Sequence, residues 1–375
     1  MQKTNFFSIN IQNRVFGLDI LRFASIFFVI YAHAFPLLEG TIDAKLYGSI
    51  SPVNDAVSIF FVLSGFLIGR ILLKIFVEKE VSSKIVVNFW VRRWFRTLPA
   101  YFCTIAILLI ISSLNGIFPE SFSWKYLVFL QNFKTTIPAF FVESWSLTIE
   151  EWFYLLFPIV LFMVLKSTIL DRKSTFLFVI GLFIILPIFY KLRRSLMLNS
   201  LNPADLPLFT QQVLTRIDSI VYGVLGAYIK YFYPVFWKKI KFGALAAMFG
   251  VYFGLRLTSF HHFGLYAQVF SAAVESILIL LSFPFFDAIK FGKGFVFKVI
   301  TWISIISYSL YLLNLSVVFN FVIPALKANV NFLKYSPTGT YITYFTVTVF
   351  LAYLLHIFCE KPMMQLRDKL SDKDN

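Results

Sequence analysis

Arg22 and His33 stand eleven residues apart in the apolar run LDILRFASIFFVIYAHAF, which is hydrophobic enough to enter a lipid bilayer. Ionisable groups are costly in hydrocarbon, so a chain that keeps them there generally uses them. On a helix, eleven residues turn 1100°, about 20° past three full turns, and rise ~16 Å. The two side chains therefore share one face, Arg22 near one membrane surface and His33 near the other. Asp19, one turn before Arg22, is placed to pair with it. The plainer alternative is an Arg–Asp pair at the inner interface and a histidine packed against a neighbouring helix.

Three further stretches carry residues of the same kind. In NFWVRRWFRTLPAYF, Arg92, Arg93 and Arg96 sit at the mouth of a second ionisable helix, with Pro99 close behind. Such arginines either obey the positive-inside rule and snorkel to headgroups or grip a phosphorylated ligand through bidentate guanidinium contacts. In ESWSLTIEEWFYLLFP, Trp145 and Trp152 suit the outer interface, and Ser144 or Ser146 suits a helix cap. Glu150 and Glu151 fit the first turn as dipole partners. At ~1.5 Å per residue, Glu150 is also expected about two turns in from the outer face, level with His33. There a carboxylate would fix the imidazole tautomer. Asn314, in ISYSLYLLNLSV, is expected at a similar depth, and Arg216 and Asp218, in TRIDSIVYG, read as an ion pair at the outer mouth of another helix.

These residues have to be positioned by membrane helices. The chain is 59% hydrophobic and 14% charged, with 48 phenylalanines and a mean hydropathy of +0.78. A soluble chain of this length needs more polar surface, and runs near twenty residues exclude the short alternating strands of a β-barrel. The fold class is all-α, a polytopic membrane protein with about ten spans near 17–37, 55–73, 98–115, 145–165, 175–190, 216–233, 242–258, 267–286, 300–324 and 340–358. The net charge of +15 does not read as nucleic-acid binding, because the basic residues cluster between the apolar runs. With the N-terminus inside, 23 of the 34 Lys and Arg fall in inner segments and 8 in outer loops, which places both termini in the cytoplasm. Ala32-His33-Ala34 has the form of a signal-peptidase site, but Asp19 and the long preceding segment argue for an uncleaved first helix.

Cys103 and Cys359 lie far apart in sequence and offer no disulfide framework. His261-His262 lacks a carboxylate or cysteine cluster, so no metal site is expected. No P-loop, G-x-G-x-x-G or G-x-S-x-G motif occurs.

Taken together, GLDILRFASIFFVIYAH, SIFFVLSGFLIG, RRWFRTLP, SWSLTIEEWFYLLFP, ISYSLYLLN and CEKP resemble, in order, the signatures of membrane-bound acyltransferase family 3. These are the bacterial O-acyltransferases of surface polysaccharides. The resemblance covers about residues 14–368 of a single integral-membrane domain (1–375) with short cytoplasmic tails and no appended soluble domain. It implies a multi-pass inner-membrane enzyme that moves an acyl group, usually acetyl, from cytoplasmic acyl-CoA to a glycan hydroxyl across the membrane. It assigns essential roles to Arg22, His33, Arg93 and Arg96: the arginines, with Arg92 beside them, on the CoA phosphates, and His33 on the acceptor hydroxyl as general base or as an acyl carrier. Glu150 and Glu151 join His33 as candidate catalytic groups. Asp19, Ser146, Asn314, Arg216 and Asp218 complete the candidate site.

No tightly bound cofactor is implied. Acetyl-CoA enters as the donor substrate, and the partners are a glycan or lipid-linked saccharide, membrane lipid and polysaccharide-biosynthesis proteins. One departure stands out. Many members carry His after SYSLYLL, where this chain has Asn314, which cannot accept a proton at physiological pH. The same intramembrane charges also fit a transporter or exporter, although no internal repeat supports one. An acyltransferase with a non-sugar acceptor fits as well.

Overall fold

The computed structural model describes residues 14–38, 41, 56–116, 122–136, 139–167, 170–197, 205–257 and 264–371. Every regular element among them is a helix. Eight helical spans are long and apolar enough to cross a membrane. The principal helices are α1 (Phe16–Ala34), α2 (Val57–Glu78), α3 (Ser83–Leu114), α4 (Ser144–Ser167), α5 (Arg172–Met197), α6 (Asp218–Phe232), α7 (Lys241–Leu257), α8 (Ser271–Ala288), α9 (Gly294–Leu313) and α10 (Pro337–Leu355). Each falls on one of the ten apolar segments of the sequence. The two short ones, α6 with 15 residues and α7 with 17, occupy the sixth and seventh places. Three helices carry π-helical turns: Tyr266–Phe270 leading into α8, Asn314–Val322 extending α9, and His356–Glu360 extending α10. The paired histidines His261 and His262 lie outside the described residues.

The most extensive helix–helix contact among the described residues is between α2 and α6, and its cause is the absence of side chains. Gly65 and Gly69 lie one turn apart on α2, and Gly223 and Ala227 one turn apart on α6. A Cβ built on Gly65 would lie 1.8 Å from the Ile220 carbonyl oxygen, and one on Gly223 would lie 2.0 Å from that of Val62. Small residues at this spacing let membrane helices meet backbone to backbone, which is how apolar helices gain packing when lipid offers no hydrophobic drive. Ten of the fifteen residues of α6 are accordingly buried, including Asp218, Ser219 and Tyr222. Gly223→Val should force the two backbones apart, and overpacking of this kind costs about 1–3 kcal/mol or more. Thermal unfolding of the purified variant in detergent should show a large drop in midpoint. Gly250→Ala, on open space, should show none.

The N-terminal end of α4 is roofed by the chain that precedes it. Residues 122–133 run beside α4 down to Trp152, whose indole N–H donates to the Phe129 carbonyl at 2.7 Å. Phe129 turns the segment with φ +56°. Gln131 and Asn132, both buried, bond the Ser144 hydroxyl (3.2 Å) and the Trp145 carbonyl (3.0 Å). The first turn of α4 thus starts beneath protein, and Trp145 is buried against Phe61 rather than lying at an interface. Cys103 on α3 and Cys359 beyond α10, remote in sequence, are free thiols.

Candidate functional site

The site is assembled from α1, α2, α3, α4 and α9 around a cavity of about 100 Å³. Arg22, Arg93, Arg96, Glu150, Tyr154 and Tyr311 line it. At ~10–15 Å³ for each water, this is room for a handful of waters or the end of a slender ligand. Arg22 faces Arg93 and Arg96 although they belong to different helices, because α1 and α3 present their arginines at one depth. Three guanidinium groups with one lining carboxylate leave the cavity positive, which suits an anion.

Asp19 pairs with Arg22 at 3.9 Å, as the i,i+3 spacing expects, but its nearer partner is Arg14. Val15 is extended (φ −108°, ψ 111°), so Arg14 folds back onto the first turn of α1. Two Arg14 nitrogens, Nε at 3.0 Å and Nη2, bond the Asp19 carboxylate. Ser304 of α9 donates to the same carboxylate at 2.9 Å. Asp19 is thus shared between two arginines, and Arg22 still lines the cavity.

Tyr154 organises the α4 side. Its hydroxyl donates to Glu150 Oε2 (3.0 Å) and accepts from Arg93 Nη2 (2.9 Å), with the Ser64 hydroxyl 2.5 Å away. The Arg93 guanidinium also lies 4.5 Å from the centre of the Tyr154 ring, a cation–π contact. Arg93 Nε is buried and has no hydrogen-bond partner among the described residues. Glu151 accepts from the Thr97 hydroxyl at 2.8 Å, and Tyr308 donates to the Thr97 carbonyl at 2.9 Å. Both glutamates therefore serve the arginine end of the site and do not lie against His33 as the depth count expected. Glu150 is held instead by Tyr154, one turn along α4, and Glu151 by Thr97 of α3.

His33 lies beyond the cavity, paired with Asn314. Its Nδ1 is 2.5 Å from Asn314 Oδ1. The Asn314 amide nitrogen donates to the carbonyls of Leu310 (3.2 Å) and Tyr311 (2.7 Å), which fixes the amide orientation, since a flip would set oxygen against oxygen. Oδ1 is then the acceptor, and His33 Nδ1 must carry the proton. The other nitrogen, Nε2, keeps its lone pair, the form a general base needs. Asn314 thus supplies the tautomer control expected from a carboxylate. Tyr311 stands between the two regions: its side chain lines the arginine cavity and its carbonyl holds Asn314. Ser146, read as a cap, instead donates to the Tyr311 hydroxyl at 2.7 Å.

The remaining expected residues lie elsewhere. Arg92 is exposed and is not among the residues lining the cavity. Arg216 and Asp218 do not pair with each other. Arg216 bonds Ser58 at 2.5 Å and lies over the Phe61 ring, while Asp218 pairs at 2.9 Å with Lys191, both fully buried. Adjacent helical positions point about 200° apart at i,i+2, so separate partners are the geometric outcome. Sequence reasoning passed over Tyr154, Thr97, Tyr311 and the buried pair His356–Glu360 (2.8 Å), which Ser309 joins. A histidine and a glutamate at i,i+4 in an apolar run were a legible signal for that pair.

Fold and site together define a polytopic helical membrane protein with a cationic pocket and a tautomer-locked histidine, arranged along one helix. Residues 15–357 match the acyltransferase domain family, and the chain belongs to it. It is 28% identical over 281 residues to the peptidoglycan O-acetyltransferase OatA of Listeria monocytogenes, an alignment that covers 68% of this chain and 43% of that protein. An uncharacterised protein of Haemophilus influenzae is 29% identical over 143 residues, 34% of this chain and 57% of its own length. The chain thus spans less than half of the Listeria relative. No solved structure matches it.

Proposed function

We propose that the protein is a plasma-membrane O-acyltransferase with both termini in the cytoplasm. It takes an acetyl group from cytoplasmic acetyl-CoA and delivers it to a hydroxyl of a cell-envelope glycan, such as peptidoglycan or a lipid-linked saccharide, on the opposite face. The observation that carries this reading is the division of α1: Arg22 in a three-arginine cavity at one end, and His33 with a free Nε2 at the other, ~16 Å along the same face. Arg22, Arg93 and Arg96 hold the donor's phosphates, and Glu150, through Tyr154, keeps Arg93 in place. The pantetheine arm spans the gap and brings the thioester past Tyr311.

His33 Nε2 takes the acceptor hydroxyl proton as the oxygen attacks the acyl carbon. The C–O bond forms, the C–S bond breaks, and the CoA thiolate leaves and regains a proton. The acceptor reading draws support from the name of the Listeria relative and from a second cavity of about 980 Å³ between α1, α7 and α8. Its apolar lining along α8 suits the chain of a lipid-linked acceptor or a membrane lipid.

The test is sidedness. Purified protein in sealed vesicles of known orientation should consume acetyl-CoA supplied only on the cytoplasmic side, release CoA thiol there, and leave acylated acceptor on the other. Transfer with donor and acceptor both confined to the outer side would overturn the reading. Mass spectrometry of envelope glycans with and without the protein would identify the acceptor.

A further inference from the structure

Glu143, the residue before α4, is 2% exposed and belongs to none of the groups used above. Every polar atom of its side chain is spent on one residue of another helix. Its Oε1 accepts the Ser316 backbone N–H at 2.9 Å, and its Oε2 accepts the Ser316 hydroxyl. Its own carbonyl accepts from the Tyr311 hydroxyl at 3.0 Å. Ser316 and Tyr311 flank Asn314, two residues after it and three before. The turn that carries Asn314 is thus tied to residue 143 on both sides.

That turn is also where α9 gives way to the π-helical segment Asn314–Val322. A π-turn has poorer intrinsic geometry than an α-turn and persists where something outside the helix holds it. The Glu143 carboxyl group supplies that hold, with two hydrogen bonds to Ser316. The chain of contacts runs from Glu143 to Ser316, along two residues to Asn314, and across to His33 Nδ1.

We infer that Glu143 is a positioning residue that fixes Asn314, and through it the Nδ1–H form of His33. The inference rests on the proposed reading of His33 as the base, but its primary test does not. The chain has four histidines, few enough for the nitrogen-15 spectrum of histidine-labelled protein in liposomes to be assigned by single substitutions. In the native protein His33 should show the Nδ1–H tautomer. In Glu143→Ala the spectrum should become a mixture of tautomers. The turnover number should fall by roughly 10- to 100-fold, the range seen when a group that orients a histidine is removed, with the KM for acetyl-CoA unchanged. Glu143→Gln should restore both, because its amide still accepts from the Ser316 N–H and can donate to the Ser316 oxygen.

Ser316→Ala, which deletes only the hydroxyl donor, should move both readouts in the same direction by less, and it serves if the alanine variant at 143 does not fold. An unaltered His33 tautomer in Glu143→Ala, or in Ser316→Ala where only that variant folds, overturns the inference. A lost tautomer with undiminished turnover would leave the positioning role standing and remove His33 as the base.

Discussion

Alanine in place of His33 should lower acyl transfer by roughly 10²- to 10⁴-fold, the usual contribution of a positioned general base, while the protein still inserts and folds. The reason is the hydrogen-bond pattern around the ring. Asn314 accepts the Nδ1–H hydrogen bond and spends its own amide hydrogens on two helix carbonyls, so in the neutral ring Nε2 is the nitrogen that keeps its lone pair. Asn314 itself offers no basic atom, and the two glutamates of α4 are engaged with Tyr154 and Thr97. Donor binding should survive the substitution, because the arginine cavity lies on the far side of Tyr311. The measurement is transfer to acceptor alongside acetyl-CoA binding, both on protein checked for monodispersity. Undiminished transfer by the alanine variant would take His33 out of the chemistry.

Arg93→Lys should raise the KM for acetyl-CoA by roughly 10- to 100-fold with a smaller effect on turnover. A hydrogen bond to a charged group contributes ~1.5–3 kcal/mol, and each 1.4 kcal/mol is about tenfold in affinity. Charge is conserved in this exchange, so membrane topology is unaffected and the planar fork alone is lost. Arg93 uses that fork in three directions at once: Nη2 on the Tyr154 hydroxyl, its face on the Tyr154 ring, and Nε buried without a protein partner. A lysine ammonium is a point charge and reproduces only one of these. If lysine substitutes fully, Arg93 serves topology rather than the donor.

The sequence makes the helices legible because a bilayer demands runs near twenty residues, and eight of the described helical spans meet that demand. It also makes Arg22, Arg93, Arg96 and His33 legible, since each is a costly residue in an apolar setting. What it hides is set by partners distant in sequence or by irregular backbone. Arg14 looks like a flanking positive charge until the extended Val15 turns it onto Asp19. Glu150 and Glu151 read as partners of His33 because nothing in the sequence announces that Tyr154 and Thr97 would engage them. Glu143 is easily taken as one more acidic residue near a helix start, yet its partner lies 173 residues along the chain. The α2–α6 contact was available in advance, since Gly65 and Gly69 form a small-xxx-small pair in an apolar helix.

The π-helical segment Asn314–Val322 has a consequence for how this protein tolerates change in length. A π-turn holds one more residue than the α-turn it replaces, so the segment behaves as an insertion absorbed without a loop. Removing a single codon here would return the ladder to α-helical spacing, and because the surplus residue leaves together with its bulge, the residues beyond keep their faces. What would be lost is the widened turn itself, where Ser316 meets Glu143. Point substitutions along the same stretch leave that turn intact. The segment is therefore permissive toward exchange of side chains, and the residue count matters within the turn rather than beyond it.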